Sequence, residues 1–181
     1  MFNERAAELK NIDKAVLTII IALLGFIYTL FFCYFLSLIL NDVIFPQVYF
    51  SRFWEVFARH LSFNLKMIIV YSAGEEVIWR ILPLGLVVVL IKKLKARRIG
   101  DLILMIAIIF LSVGFALEHT TRFNIFIQGV LGLMWSYLFL KTGGYQEKFI
   151  PAALSVVLSH IIYNLIVLGN GYLFVKWFGG L

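Results

Sequence analysis

The sequence predicts an all-α fold, a polytopic membrane helical bundle of about five transmembrane helices with interfacial helices at its margins. Two observations lead there. Apolar runs of about 18 or more residues recur along the chain, and a bilayer core about 30 Å thick takes roughly 20 helical residues to cross. Hydrophobic residues make up 62% of the 181 positions and charged ones only 14%, a balance far outside the range of soluble globular proteins.

In chain order, Met1 to Lys14 spaces Phe2, Ala6, Leu9 and Ile12 at helical intervals among Glu4, Arg5, Glu8 and Lys10, the pattern of a short helix lying on the membrane surface. Ala15 to Leu40 is the first span. It is too long for the roughly 7–15-residue core of a signal peptide and has no small-x-small cleavage site. Cys33, the only cysteine, lies inside it, so neither a disulfide framework nor a thiolate metal site is available and an inert packing role is expected. Asn41, Asp42 and Pro46 then interrupt the pattern. Phe53, Trp54, Phe57 and Leu61, interleaved with Arg52, Glu55 and Arg59, predict a second interfacial helix with His60 at the water boundary. Residues 1–60 thus form an N-terminal unit ahead of a core over 61–170.

The next apolar stretch, Leu61 to Ile91, would be about 46 Å long as one continuous helix, more than a bilayer core needs. A tilt or kink is expected, with Pro83 as its cause. Lys92, Lys93, Lys95, Arg97 and Arg98 form the densest basic connection, and the positive-inside rule makes it cytoplasmic. Spans over Asp101 to Leu117, Phe123 to Leu140 and Phe149 to Leu168 follow, with a turn at Gly143-Gly144 and an end to the last span at Asn170-Gly171. Residues 171–181, with Lys176 and Trp177, form an interfacial tail. An N-terminus inside the cell puts ten lysines and arginines on the cytoplasmic side against four outside, so a multi-pass protein of the plasma membrane with a cytoplasmic N-terminus is expected. The formal charge of +6 is spread over short connections, which indicates lipid headgroups and topology signals and no nucleic acid.

Glu75, Glu76 and Arg80 interrupt the second long apolar stretch. A charged side chain at mid-bilayer costs about 2.5–3.5 kcal/mol on insertion scales, so intramembrane ionisable groups need a reason. Glu76 and Arg80 are one turn apart and can pair. Glu75 has Trp79 at its i+4 position, and a second carboxylate without a local cation is what catalysis needs and a structural pair does not. His119 follows Phe115 by four residues and Asn164 follows His160 by four, so each histidine has a neighbour one turn away. A carboxylate beside an imidazole can hold a water and take its proton, while an imidazole N–H and an amide NH2 can donate to a developing oxyanion. Ser72 and Ser159 lack triad spacing and a Gly-x-Ser-x-Gly turn, which argues against a serine nucleophile.

Glu75-Glu76-x-x-x-Arg80, Phe115-x-x-x-His119 and His160-x-x-x-Asn164, taken in order on separate apolar segments, resemble the motifs of the CAAX-protease and bacteriocin-processing family of intramembrane glutamic proteases. The resemblance covers about residues 62 to 168. It implies a helical intramembrane core in which Glu75 and His119 activate water, His160 and Asn164 form the oxyanion site, and Glu76 and Arg80 order the site. It further implies a bacterial-type, metal- and cofactor-independent endopeptidase acting on a membrane-associated peptide or protein, by CAAX-like, leader-peptide or C-terminal sorting-signal processing. Trp79 stands where Phe is more usual before the arginine. Two other readings use the same residues. In one, His119, His160 and a glutamate bind zinc, without a His-Glu-x-x-His spacing in support. In the other, a non-catalytic protein uses the cluster for peptide immunity, binding or a proton or ion relay.

Overall fold

The computed structural model describes residues 10–39, 61–94, 97–119 and 124–178. These form six α-helices: α1 (Asn11–Ile39), α2 (Leu61–Glu76), α3 (Leu82–Lys93), α4 (Arg97–Leu117), α5 (Asn124–Thr142) and α6 (Phe149–Phe178). No strand occurs among the described residues, as expected of a chain that must satisfy its backbone polar groups within hydrocarbon. Four helices, α1, α4, α5 and α6, are each long and apolar enough to cross a membrane. The stretch Leu61 to Ile91, expected as one further span, instead forms α2 and α3 joined through a π-helical turn, Val77–Ile81, and is not among these four. The protein is therefore an all-α, multi-pass membrane bundle.

The irregularity expected at Pro83 lies just before it. Proline has no N–H for the carbonyl four residues back and its ring crowds that carbonyl, here that of Trp79. The chain widens by one residue ahead of it, and the Leu82 N–H bonds the Val77 carbonyl five positions back. Such single π turns recur at functional sites, and this one directly follows Glu75-Glu76.

The core is formed where α5 meets its neighbours: Leu131, Trp135, Leu138 and Phe139 pack with Phe115 of α4, Leu84 of α3 and Val156 and Tyr163 of α6. α4 and α5 pack closely against each other, and small residues permit it. A Cβ on Gly132 would lie 3.1 Å from the Ser112 Cα, so the two backbones are nearly in contact. On the outside, Ile19, Phe31, Ile106, Phe110, Leu154 and Leu158 are exposed, as lipid-facing side chains are in a membrane bundle. α1 joins the core through the Thr29 hydroxyl, 2.9 Å from the Tyr163 hydroxyl and from the Gly25 carbonyl, which it bonds.

α6 differs from the sequence reading at its C-terminal end. The helix continues through Asn170-Gly171 to Phe178; one Asn-Gly pair costs a helix only about 1–2 kcal/mol, less than leaving backbone polar groups unpaired in hydrocarbon would cost. The surface helix expected over Met1 to Lys14 lies largely outside the described residues, and the interfacial helix expected over 52–61 lies outside them but for Leu61.

Candidate active site

Antiparallel packing of α2 on α6 brings two pairs of side chains together, one turn apart on each helix. Asn164 Nδ2 donates to the Ser72 Oγ at 3.0 Å. One turn along, His160 Nδ1 stands 2.7 Å from Glu76 Oε1. The same oxygen accepts from Arg80 Nη1 at 2.6 Å, so Glu76 is held between a guanidinium and an imidazole. All three side chains are at most 4% exposed. Glu76 Oε2 and Arg80 Nη2 have no hydrogen-bond partner among the described residues.

Aromatic rings wall this group. The Trp135 indole stacks on the His160 imidazole, centroids 4.0 Å apart and planes 23° from parallel. The Arg80 guanidinium carbon lies 4.4 Å from the centroid of the Phe115 ring and 5.1 Å from that of Trp135. A desolvated guanidinium over two π faces gains attraction that its single carboxylate contact leaves unsupplied. Phe115 also meets both imidazoles edge-on, at 5.0 Å from His119 and 6.3 Å from His160.

Glu75 is different. Its side chain is 31% exposed, and its Oε2 lies 3.6 Å from His160 Nε2, too far for a direct hydrogen bond and spaced to share a water or a substrate oxygen. Because the Glu76 carboxylate accepts, His160 Nδ1 carries a proton, and Nε2 is the nitrogen turned toward Glu75.

His119 lies just past α4. The helix tightens as it ends, with the His119 N–H bonded to the Ala116 carbonyl at 3.2 Å, and the ring Nδ1 is 3.0 Å from the Phe115 carbonyl oxygen. A carbonyl only accepts, so Nδ1 carries the proton and Nε2 keeps its lone pair. Among the described residues no hydrogen bond or ion pair joins His119 to a glutamate; Phe115 is its link to the rest of the group. Of the six residues the motifs single out, Glu75, Glu76, Arg80 and His160 are thus brought into one cluster. Asn164 adjoins it by one helical turn, and His119 reaches it through an aromatic ring. No group of three or more His, Cys, Asp or Glu side chains among the described residues is arranged to hold a metal ion.

Two neighbours of the site, Ser72 and Trp135, were not among the residues expected there. Ser72 had a signal, a small polar residue one turn before Glu76 in an apolar helix. Trp135 had none, since a tryptophan in mid-span reads as core.

Residues 57–166, more than half of the chain, match the family model of Type II CAAX prenyl endopeptidase Rce1-like proteins. The chain belongs to that family. Membership makes it a member of a protease family, of the CAAX-type intramembrane endopeptidases, and the matched segment contains all three motifs. No curated protein and no solved structure matches the chain.

Proposed function

We propose that the chain is a glutamate-dependent intramembrane endopeptidase, in which Glu75 is the carboxylate that activates water against a peptide bond of a membrane-associated peptide or protein. The supporting observation is the unequal use of two adjacent glutamates. Glu76 is buried and committed to Arg80 and His160, while Glu75 is partly exposed and faces an imidazole nitrogen at 3.6 Å.

In this reading a water beside Glu75 gives a proton to the carboxylate as its oxygen attacks the scissile carbonyl carbon. His119, with its proton on Nδ1, has Nε2 free to accept and assists. The carbonyl oxygen becomes negative and is met by the Asn164 N–H not used on Ser72, and by His160 Nε2 when both ring nitrogens are protonated. Collapse breaks the C–N bond, and the proton held by Glu75 passes to the leaving amine. Glu76 and Arg80 touch no reacting atom; they fix the His160 ring. The substrate class that fits a buried site inside such a bundle is a peptide reaching it through the membrane: a prenylated C-terminus, a leader peptide or a C-terminal sorting helix.

The test compares the membrane peptides of cells carrying the wild-type chain and Glu75→Ala by mass spectrometry. An uncut precursor that accumulates only with Glu75→Ala supports the reading and identifies the substrate; identical peptide profiles sink it.

A further inference from the structure

Trp79 and Glu118 belong to neither the buried cluster nor the three motifs' functional positions, yet they are bonded to each other. The indole Nε1 donates to Glu118 Oε2 at 2.8 Å, across 39 residues of sequence. The bond ties the π turn to the residue just past the end of α4. The fit extends beyond the bond. A Cβ on Gly114, one turn before Glu118, would lie 2.6 Å from Cζ3 of the same indole. α4 therefore offers a bare backbone for the ring to lie against and a carboxylate to receive its N–H.

The placement of the two residues gives the contact a role. Trp79 is four positions after Glu75 and immediately before Arg80, and Glu118 immediately precedes His119. His119 spends its own hydrogen bonds within the last turn of α4, on Ala116 and Phe115. Where the imidazole stands relative to Glu75 is then set by where that last turn is held. Arg80 over Phe115 holds the turn from the buried side. On the open side the tie is Trp79 to Glu118.

We infer that Trp79 and Glu118 are positioning residues that clamp the end of α4 to the π turn and so fix where His119 stands relative to Glu75; the inference rests on the peptidase reading above. Neither side chain takes or gives a proton in the reaction.

The test uses the full chain purified in detergent, with a farnesylated fluorogenic peptide ending in a Cys-aliphatic-aliphatic-X sequence as probe, and with diethyl pyrocarbonate labelling of each histidine read by mass spectrometry. Trp79→Phe deletes the N–H together with the outer ring edge that lies against Gly114, and Glu118→Ala deletes the acceptor alone. Each is expected to lower kcat about tenfold, the scale of one lost hydrogen bond to a charged group, with KM unchanged. The double variant falls no further, and Glu118→Gln, which keeps an acceptor oxygen, recovers most of the loss. Labelling of His119 rises severalfold in Trp79→Phe and Glu118→Ala while that of His160 stays constant. Wild-type kcat together with wild-type His119 labelling in Trp79→Phe overturns the inference and leaves the peptidase reading intact. A wild-type chain that does not cut the probe, or a Glu75→Ala chain that does, counts against the peptidase reading for this probe; the His119 labelling then decides the positioning role alone, raised reactivity supporting it and unchanged reactivity overturning it.

Discussion

At the scale of single residues, Glu75 and Glu76 are neighbours in sequence with opposite energetic situations, and substitution separates them. Removing Arg80 leaves the Glu76 carboxylate buried beside one imidazole, and breaking a buried pair from one side costs about 3–5 kcal/mol because a charge is left without its partner. Arg80→Ala is therefore expected to lower the melting temperature in detergent sharply and to reduce the yield of folded protein. Glu75→Ala removes a partly exposed group with no hydrogen bond among the described residues and should change stability by about 1 kcal/mol or less. Equal destabilisation by the two would contradict this account. The pairing of Glu76 with Arg80 was legible in the sequence because a four-residue spacing on a helix is a geometric statement. The capture of the same carboxylate by His160, 84 residues away, was not, because no local spacing encodes which helix lies against which. Ser72, weighed only as a nucleophile, and Trp135 were missed as neighbours of the site for the same reason: each matters through a partner on another helix, Asn164 and His160.

At the scale of helices, the α4–α5 contact depends on one glycine more than on another nearby. A Cβ at Gly132 would meet the Ser112 backbone and side chain at 3.0–3.1 Å, whereas one at Gly129 would meet Ala116 at 3.7 Å, an ordinary contact. Backbone cannot rotate aside as a long side chain can, so Gly132→Ala must push the helices apart, a strain of about 1–3 kcal/mol. Gly129→Ala is expected to be neutral or slightly stabilising, since alanine is the better helix former. Thermal unfolding of the two variants in one detergent checks the order, and a Gly132→Ala protein as stable as wild type would refute it. The helix boundaries themselves were largely readable: the expected spans over 101–117 and 149–168 correspond to α4 and to most of α6. The π turn was not, since a proline announces an irregularity but not its form. Whether the backbone kinks, breaks or takes an extra residue is decided by what Glu76, Trp79 and Arg80 must reach on other helices.

At the scale of the molecule, the hydrogen bonds constrain how the bundle threads the membrane. Lys92, at the end of α3, pairs with Glu147 in the α5–α6 connection at 3.2 Å and lies over the Tyr145 ring, so these two ends share one side of the bundle. Glu118, after one further crossing by α4, is on the other. This alternation is independent of orientation; for the orientation we propose, from charge alone, that the α3 end with Lys92 and Lys93 faces the cytoplasm, where basic connections are enriched. Single cysteines introduced at Lys93, Glu147 and Glu118, in a chain whose buried Cys33 is replaced by alanine, test both statements with a membrane-impermeant maleimide on intact cells. Cysteines at 93 and 147 should label only after the membrane is opened, and the cysteine at 118 should label from outside. Labelling of 93 and 118 from the same side would break the threading itself. A complete inversion, with 93 and 147 labelled from outside and 118 protected, would leave the fold standing and overturn only the orientation read from charge.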